Sequence, residues 1–256
     1  MCWDCCKPLS ITRVFTLTRN ASAGSFTRPL FAEDRTTCNG VETKDGTKYY
    51  ADKVVLATGA WSPALIGLED QCVSKAWAFA YIQLTPQEVA EYKDVPAIYD
   101  GGYGFFFEPN EHGIIKLCDE FPGFSRFKWH QPYVAAVPKH ISVPWSHAKH
   151  PTDTYPDASE LLNRSMRWCT DTADANLLIC EHPKWKNFIL ATGDSGNSFK
   201  LLPNIGKQVV ELMEGPLPQD LADPWRWRTA GDTLKSRRAA LAKNLADMPG
   251  WKNDVK

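Results

Sequence analysis

Net charge is nearly absent from this chain of 256 residues: 29 Lys and Arg stand against 30 Asp and Glu, a formal balance of −1. Without a field of one sign there is nothing to recruit nucleic acid or an anionic membrane, and neither partner is expected. Long apolar runs are also missing. None reaches the roughly 18 residues a membrane-spanning helix needs, so no transmembrane span is expected. The opening Met1-Cys2-Trp3-Asp4-Cys5-Cys6-Lys7-Pro8 has no apolar core of a secretory leader. A reducing, cytoplasmic setting is therefore expected, with the eight Cys as free thiols. No second Cys-x-x-Cys follows Cys2-x-x-Cys5, so the spaced ligands of a zinc site are lacking and no metal is expected.

What is present argues for a packed core. Hydrophobic residues make up 43% and aromatics 12%, with ten Trp. That fits one large domain or two interleaved ones. Residues 1–37 have weak periodicity and carry no predicted structure. Lys44-Asp45-Gly46-Thr47 is a tight-turn signal between two extended runs. Lys53 to Ala57 reads as a buried parallel strand that runs into Thr58-Gly59-Ala60-Trp61-Ser62. Ligands of open α/β sheets sit at such carboxyl ends, and small residues there let a flat group approach the backbone.

Further along, residues 76–84 alternate small and large side chains as a strand does. Thr85-Pro86 opens a helix through Tyr92, with Thr at N-cap and Pro at N1. Residues 104–109 and 113–120 read as a hairpin. Residues 121–160 are rich in Pro, His and Ser and read as a long loop. Asn187 to Gly193 is a second strand ending in Ala-Thr-Gly, followed by the polar loop 194–198. A helix is predicted from about Pro203 to Glu214, closed by Gly215. The charged tail 232–256 is expected to be partly helical and peripheral, with Lys235, Arg237 and Arg238 as a solvated basic face.

Several of these blocks resemble one family together. Ala57-Thr58-Gly59-Ala60-Trp61-Ser62 is similar to the strand end of the glycine and sarcosine oxidase-like flavoproteins. Gly104-Phe105-Phe106-Phe107-Glu108-Pro109, Ile115 to Glu120, Trp168 to Ala173 and Ala191 to Pro203 resemble the fungal fructosyl amino acid oxidases (amadoriases). The resemblance implies an α/β (α+β) fold: the C-terminal part of an FAD-binding Rossmann-like domain interleaved with an antiparallel-sheet substrate domain. It implies a flavin-binding part at 38–66 and 166–216, a substrate sheet at 67–165 and a tail at 217–256. It further implies FAD as cofactor and oxidation of the secondary amine of a fructosyl amino acid by O2, giving H2O2. The expected partner is that small glycated amino acid, and the chain is expected to be a monomer.

Carried over by the resemblance, Lys116 is the catalytic lysine that favours O2 reduction over the flavin. Glu120 and Lys200 bind substrate, Lys200 through its carboxylate. Thr58, Gly59, Ala60, Trp61, Gly193, Asp194, Ser195, Gly196 and Asn197 are the cofactor-binding set. The backbone N–H groups of residues 193–196 are expected near the pyrimidine end of the ring. Arg237 lies near a family arginine in loose register.

The sequence also departs from the family. No Gly-x-Gly-x-x-Gly, the loop that holds a dinucleotide pyrophosphate, occurs in residues 1–60. An N-terminal truncation is therefore expected. The family's flavin-tethering Cys is replaced by Arg167, so any FAD is expected to bind non-covalently. Asn197 stands where relatives often have His. A helix of the family is missing ahead of Arg167, near residues 157–164. No peroxisomal tripeptide ends the sequence at Asp254-Val255-Lys256. These departures set a second expectation against the oxidase: a catalytically inactive remnant. A glycated-amine binding module without redox chemistry is a third.

Overall fold

The structure is a computed structural model that describes residues 25–100, 104–133, 139–144, 162–232 and 235–249. The expectation for residues 1–24 lies outside it, but that for 25–37 is corrected. Phe26–Phe31 forms strand β1, paired antiparallel with β2 (Cys38–Thr43). Arg28 and Pro29 argue against a strand by propensity. Pro29 is tolerated because β1 is the edge of a three-stranded meander, β1-β2-β3, with β3 at Lys48–Tyr50. The turn between β2 and β3 is the one predicted: Asp45 accepts from Thr43 Oγ1 at 2.6 Å and from the Thr47 amide at 3.0 Å.

β4 (Val54–Leu56) leads to a short turn and α1 (Ser62–Leu65). β5 (Cys72–Gln83) then runs to α2 (Pro86–Tyr92), where Thr85 and Glu88 close a full capping box. β6 (Ile98–Asp100), β7 (Gly104–Phe106) and β8 (Ile114–Ser125) follow. β7 and β8 pair antiparallel, Phe105 opposite Cys118, as the predicted hairpin requires.

The long loop expected over 121–160 is a correction in part. β8 continues to Ser125, and β9 (Phe127–His130) pairs antiparallel with β10 (Lys139–Ser142). Ser142 and Val143 are buried there, so tertiary packing supplies what local periodicity lacks. The expected loss of a helix near 157–164 falls mostly outside the described residues. β11 (Leu162–Thr172) pairs with β5 along its length. The order β11-β5-β8-β7-β6 makes the main sheet.

β12 (Leu178–Glu181) and β13 (Phe188–Thr192) complete the second sheet. β13 lies between β12 and β4, antiparallel to the first and parallel to the second, with Phe188 opposite Val54 and Leu190 opposite Leu56. The core gathers here: Leu56, Ile66, Leu178, Phe188 and Leu190 are buried together. Each such side chain contributes about 1.5–3 kcal/mol on burial. α3 (Leu202–Glu214) matches the predicted helix to within one residue, and α4 (Gln219–Trp225) follows.

The tail departs from expectation. β14 (Lys243–Asn244) pairs in parallel with β8, and Leu245, 3% exposed, packs with Ala76, Phe124 and Met166. The 3-10 turns at 237–239 and 245–247 are its described helical content.

Candidate active site

Two strand ends meet. The parallel pairing of β4 and β13 carries both chains to one side of their sheet, where each breaks at Thr-Gly. Thr192 Oγ1 donates to the Gly59 carbonyl at 3.3 Å. Thr58 and Ser62 share a hydroxyl hydrogen bond of 2.9 Å, and Ser74 on β5 donates to the Ala60 carbonyl. Ala60 is buried and Trp61 exposed. Gly59 has φ +51, and nothing lies within 4 Å of where a Cβ would project. That open flank leaves room for a flat ring to approach the backbone.

Gly193 is different. Its φ is +70, but a Cβ would meet Thr172 Cγ2 at 2.8 Å and the Leu178 amide nitrogen at 2.9 Å. Glycine is required here for packing. The turn beyond it is knitted to β11: the Thr170 amide donates to Asp194 Oδ1 at 2.6 Å, and the Ser195 amide to the Thr170 carbonyl at 2.9 Å. The Thr172 amide donates to Ser195 Oγ at 3.0 Å. The Asn197 amide closes on the Asp194 carbonyl at 2.7 Å, and Asn197 Oδ1 accepts from Lys200 at 3.1 Å. The amides of Ser195 and Asn197 are thus used inside the structure. Burial raises the Asp194 carboxyl, against the lowering effect of the Thr170 amide.

The main sheet offers one face of alternating residues on β5: Trp77, Phe79 and Tyr81. Lys116 lies opposite Tyr81 on β8 and Arg167 opposite Trp77 on β11. The Lys116 ammonium is 5.1 Å from the Phe79 ring centre and 5.6 Å from that of Phe105. The Arg167 guanidinium is 5.4 Å from the same Phe79 ring. One phenyl ring therefore seats both cations. Cys169 follows Arg167 on this face and accepts from Trp77 Nε1 at 2.6 Å; burial holds its thiol well above the ordinary range.

Glu120 lies on β8 where its register with β5 slips, between the pairs Ala78–Asp119 and Ala76–Phe124. Its side chain, like that of Arg237, is outside the described part. Lys200 is exposed in the 3-10 turn ahead of α3. Among the described residues, no hydrogen bond or ring contact joins Lys116 or Lys200 to the Gly59 turn. No group of three potential metal ligands occurs among them, and no helix is long and apolar enough to cross a membrane.

Sequence reasoning missed a buried ionic group. Asp171, 1% exposed, accepts from Arg238 Nη1 at 3.0 Å and faces Lys75 Nζ at 3.8 Å. Arg238 is therefore not part of a solvated basic face, which corrects that expectation. Burial raises the Asp171 carboxyl even against these two cations, and burial lowers Lys75. The available signal was an Asp on the same strand face as Arg167 and Cys169.

Comparison with known proteins adds the following. The FAD dependent oxidoreductase (DAO) family model matches residues 26–212. L-saccharopine oxidase of Schizosaccharomyces pombe is 34% identical over 206 residues, which cover 73% of this chain and 47% of that protein. The solved fructosyl peptide oxidase from E. terrenum is 71% identical with TM-score 0.81, the match covering 91% of this chain and 58% of that one. The deglycating fructosamine oxidase of Aspergillus fumigatus, Amadoriase II, is 28% identical with TM-score 0.71, covering 91% and 60%. The chain thus spans about half to three fifths of the length of these relatives.

Proposed function

The chain belongs to the FAD dependent oxidoreductase family, and from that membership we propose that it is the flavin- and substrate-facing part of an oxidase of fructosyl amino acids. When bound, FAD would supply the redox chemistry, by which two electrons and two protons would move from the substrate's secondary amine and its adjacent carbon, left as an imine, to O2, giving H2O2. The observation that carries the reading is the junction of Thr192 with Gly59, which puts two strand ends around an open glycine flank.

In this reading Thr58–Trp61 and Gly193–Asn197 line the cofactor. Lys116, held by rings, offers a cation to negative charge developing on oxygen. Glu120 and Lys200 receive the substrate, Lys200 as a point charge for its carboxylate. The separate sheets support dividing the chain into a flavin-binding part (38–66, 166–216) and a substrate part (67–165), although β11 is bonded into the substrate sheet. The chain acts as a monomer. FAD is held non-covalently, because Arg167 has no thiol to form a thioether.

One observation favours the second reading, a catalytically inactive chain: an arginine stands at the tether position, over Phe79. A single preparation separates the two. The purified chain is mixed with FAD, freed of excess, and assayed for flavin absorbance and for peroxide with a fructosyl amino acid. Retained flavin and peroxide support the oxidase. Retained flavin without peroxide supports the inactive chain, and no retained flavin overturns the cofactor assignment.

A further inference from the structure

The Asp171 cluster does more than neutralise a buried charge. Arg238 rests 5.0 Å from the Trp77 ring centre, and its Nη2 occupies the side of Gly196 where a Cβ would sit. Lys75 donates to the main-chain carbonyls of Arg238 and, at 2.7 Å, of Ala240. The Ser236 amide donates to the Ala173 carbonyl at 2.7 Å. β11 grips the same turn through the amides of Thr170 and Thr172. The turn 193–196 is therefore held by the β11 backbone and touched by the Arg238 guanidinium, which donates to Asp171 at 3.0 Å.

We propose that Asp171 is a positioning residue: by fixing Arg238 between Trp77 and Gly196, with Lys75 as second counter-charge, it holds the turn 193–196 and the segment 236–240 in a single arrangement. Asp171 Oδ2 has no hydrogen-bond partner and lies 3.8 Å from the Lys75 ammonium. An amide at this position removes the negative charge that both buried cations approach, the costly way to break a buried ionic group. The consequence for cofactor binding rests on reading residues 193–197 as flavin-lining; the consequence for order does not.

Hydrogen exchange on the full chain, without flavin, tests the first part. D171N and R238Q are each expected to speed exchange of amides in 193–197 and 236–240 by about tenfold or more, while β1 and β2 keep their rates. The double variant should be no faster than the faster single, and D171E should restore part of the protection. Unchanged protection in either segment, equal acceleration in β1 and β2, or multiplicative effects in the double variant overturn the proposal. Should D171N fail to fold, R238Q alone decides by the same criterion. FAD titration followed by flavin fluorescence is the second arm. Binding about tenfold weaker in D171N and partly regained in D171E extends the proposal to the cofactor. If the unaltered chain binds no FAD, the cofactor reading fails, and the exchange result still decides the role of Asp171.

Discussion

Thr192 Oγ1 reaches the carbonyl of Gly59 across 133 residues of sequence. The bond ties β13 to the turn after β4, at the point where both strands stop being apolar. It joins two similar sequence fragments, each a strand running into Thr-Gly, at one end of the β12-β13-β4 sheet.

Thr192→Val keeps the shape and removes the hydroxyl. Thr192 is buried, so the Gly59 carbonyl loses a partner that solvent replaces poorly. A loss of about 1 kcal/mol is expected. Urea unfolding of the two proteins measures it, and an unchanged midpoint would show that the junction is held by strand pairing alone.

In the proposed oxidase, Lys116→Met is expected to separate reduction of the flavin from its reoxidation. Loss of one preorganised charge-stabilising group typically costs about 10²–10³ in rate. Reoxidation of reduced flavin by O2 should slow to that extent, with anaerobic reduction by a fructosyl amino acid little altered. Stopped-flow absorbance in the two directions distinguishes them; equal slowing of both would assign Lys116 to substrate binding.

In the proposed flavin site, Arg167→Cys puts a thiol where the family resemblance implies the tether. Acid precipitation of the variant after loading with FAD is expected to leave flavin colour in the pellet, whereas the unaltered chain releases its flavin to the supernatant. A colourless variant pellet would place the β11 face out of reach of the ring.

The fold should weaken in mild acid through His182. Its ring stacks on Trp185 at 4.1 Å, and burial lowers its pKa from the ordinary 6.5 to about 4. Between those values the unfolded ring binds a proton that the folded ring refuses, so stability falls as pH falls through that window. After allowance for screening, the loss is about 2 kcal/mol. Asp171 and Asp194, raised by burial, act in the opposite sense. Comparing His182→Phe with the unaltered chain by urea midpoint at pH 7 and pH 5 isolates the histidine. An equal pH response in both would remove it from the account.

The parts legible in the sequence are those with local signals. The two strand ends announce themselves by an apolar run followed by Thr-Gly. α2 does so by Thr85-Pro86 with Glu88 three residues on, and α3 by Pro203 with an apolar stripe closed by Gly215. β1 was hidden because Pro29 speaks against a strand unless the strand is known to be an edge. β9 and β10 were hidden because their buried positions include Ser142, which carries no hydropathy signal. Lys75, Asp171 and Arg238 were hidden for a different reason. They meet only in the folded chain, and a charge in sequence reads as surface until its partner is in place.

The shared seat at Phe79 has an evolutionary consequence. Lys116 and Arg167 lean on one ring from two different strands, so that ring is common to the electrostatic environments of both. A change of that ring perturbs both positions in one step. Codons 79, 116 and 167 should therefore show epistasis, with the effect of a substitution at one depending on the residues carried by the other two.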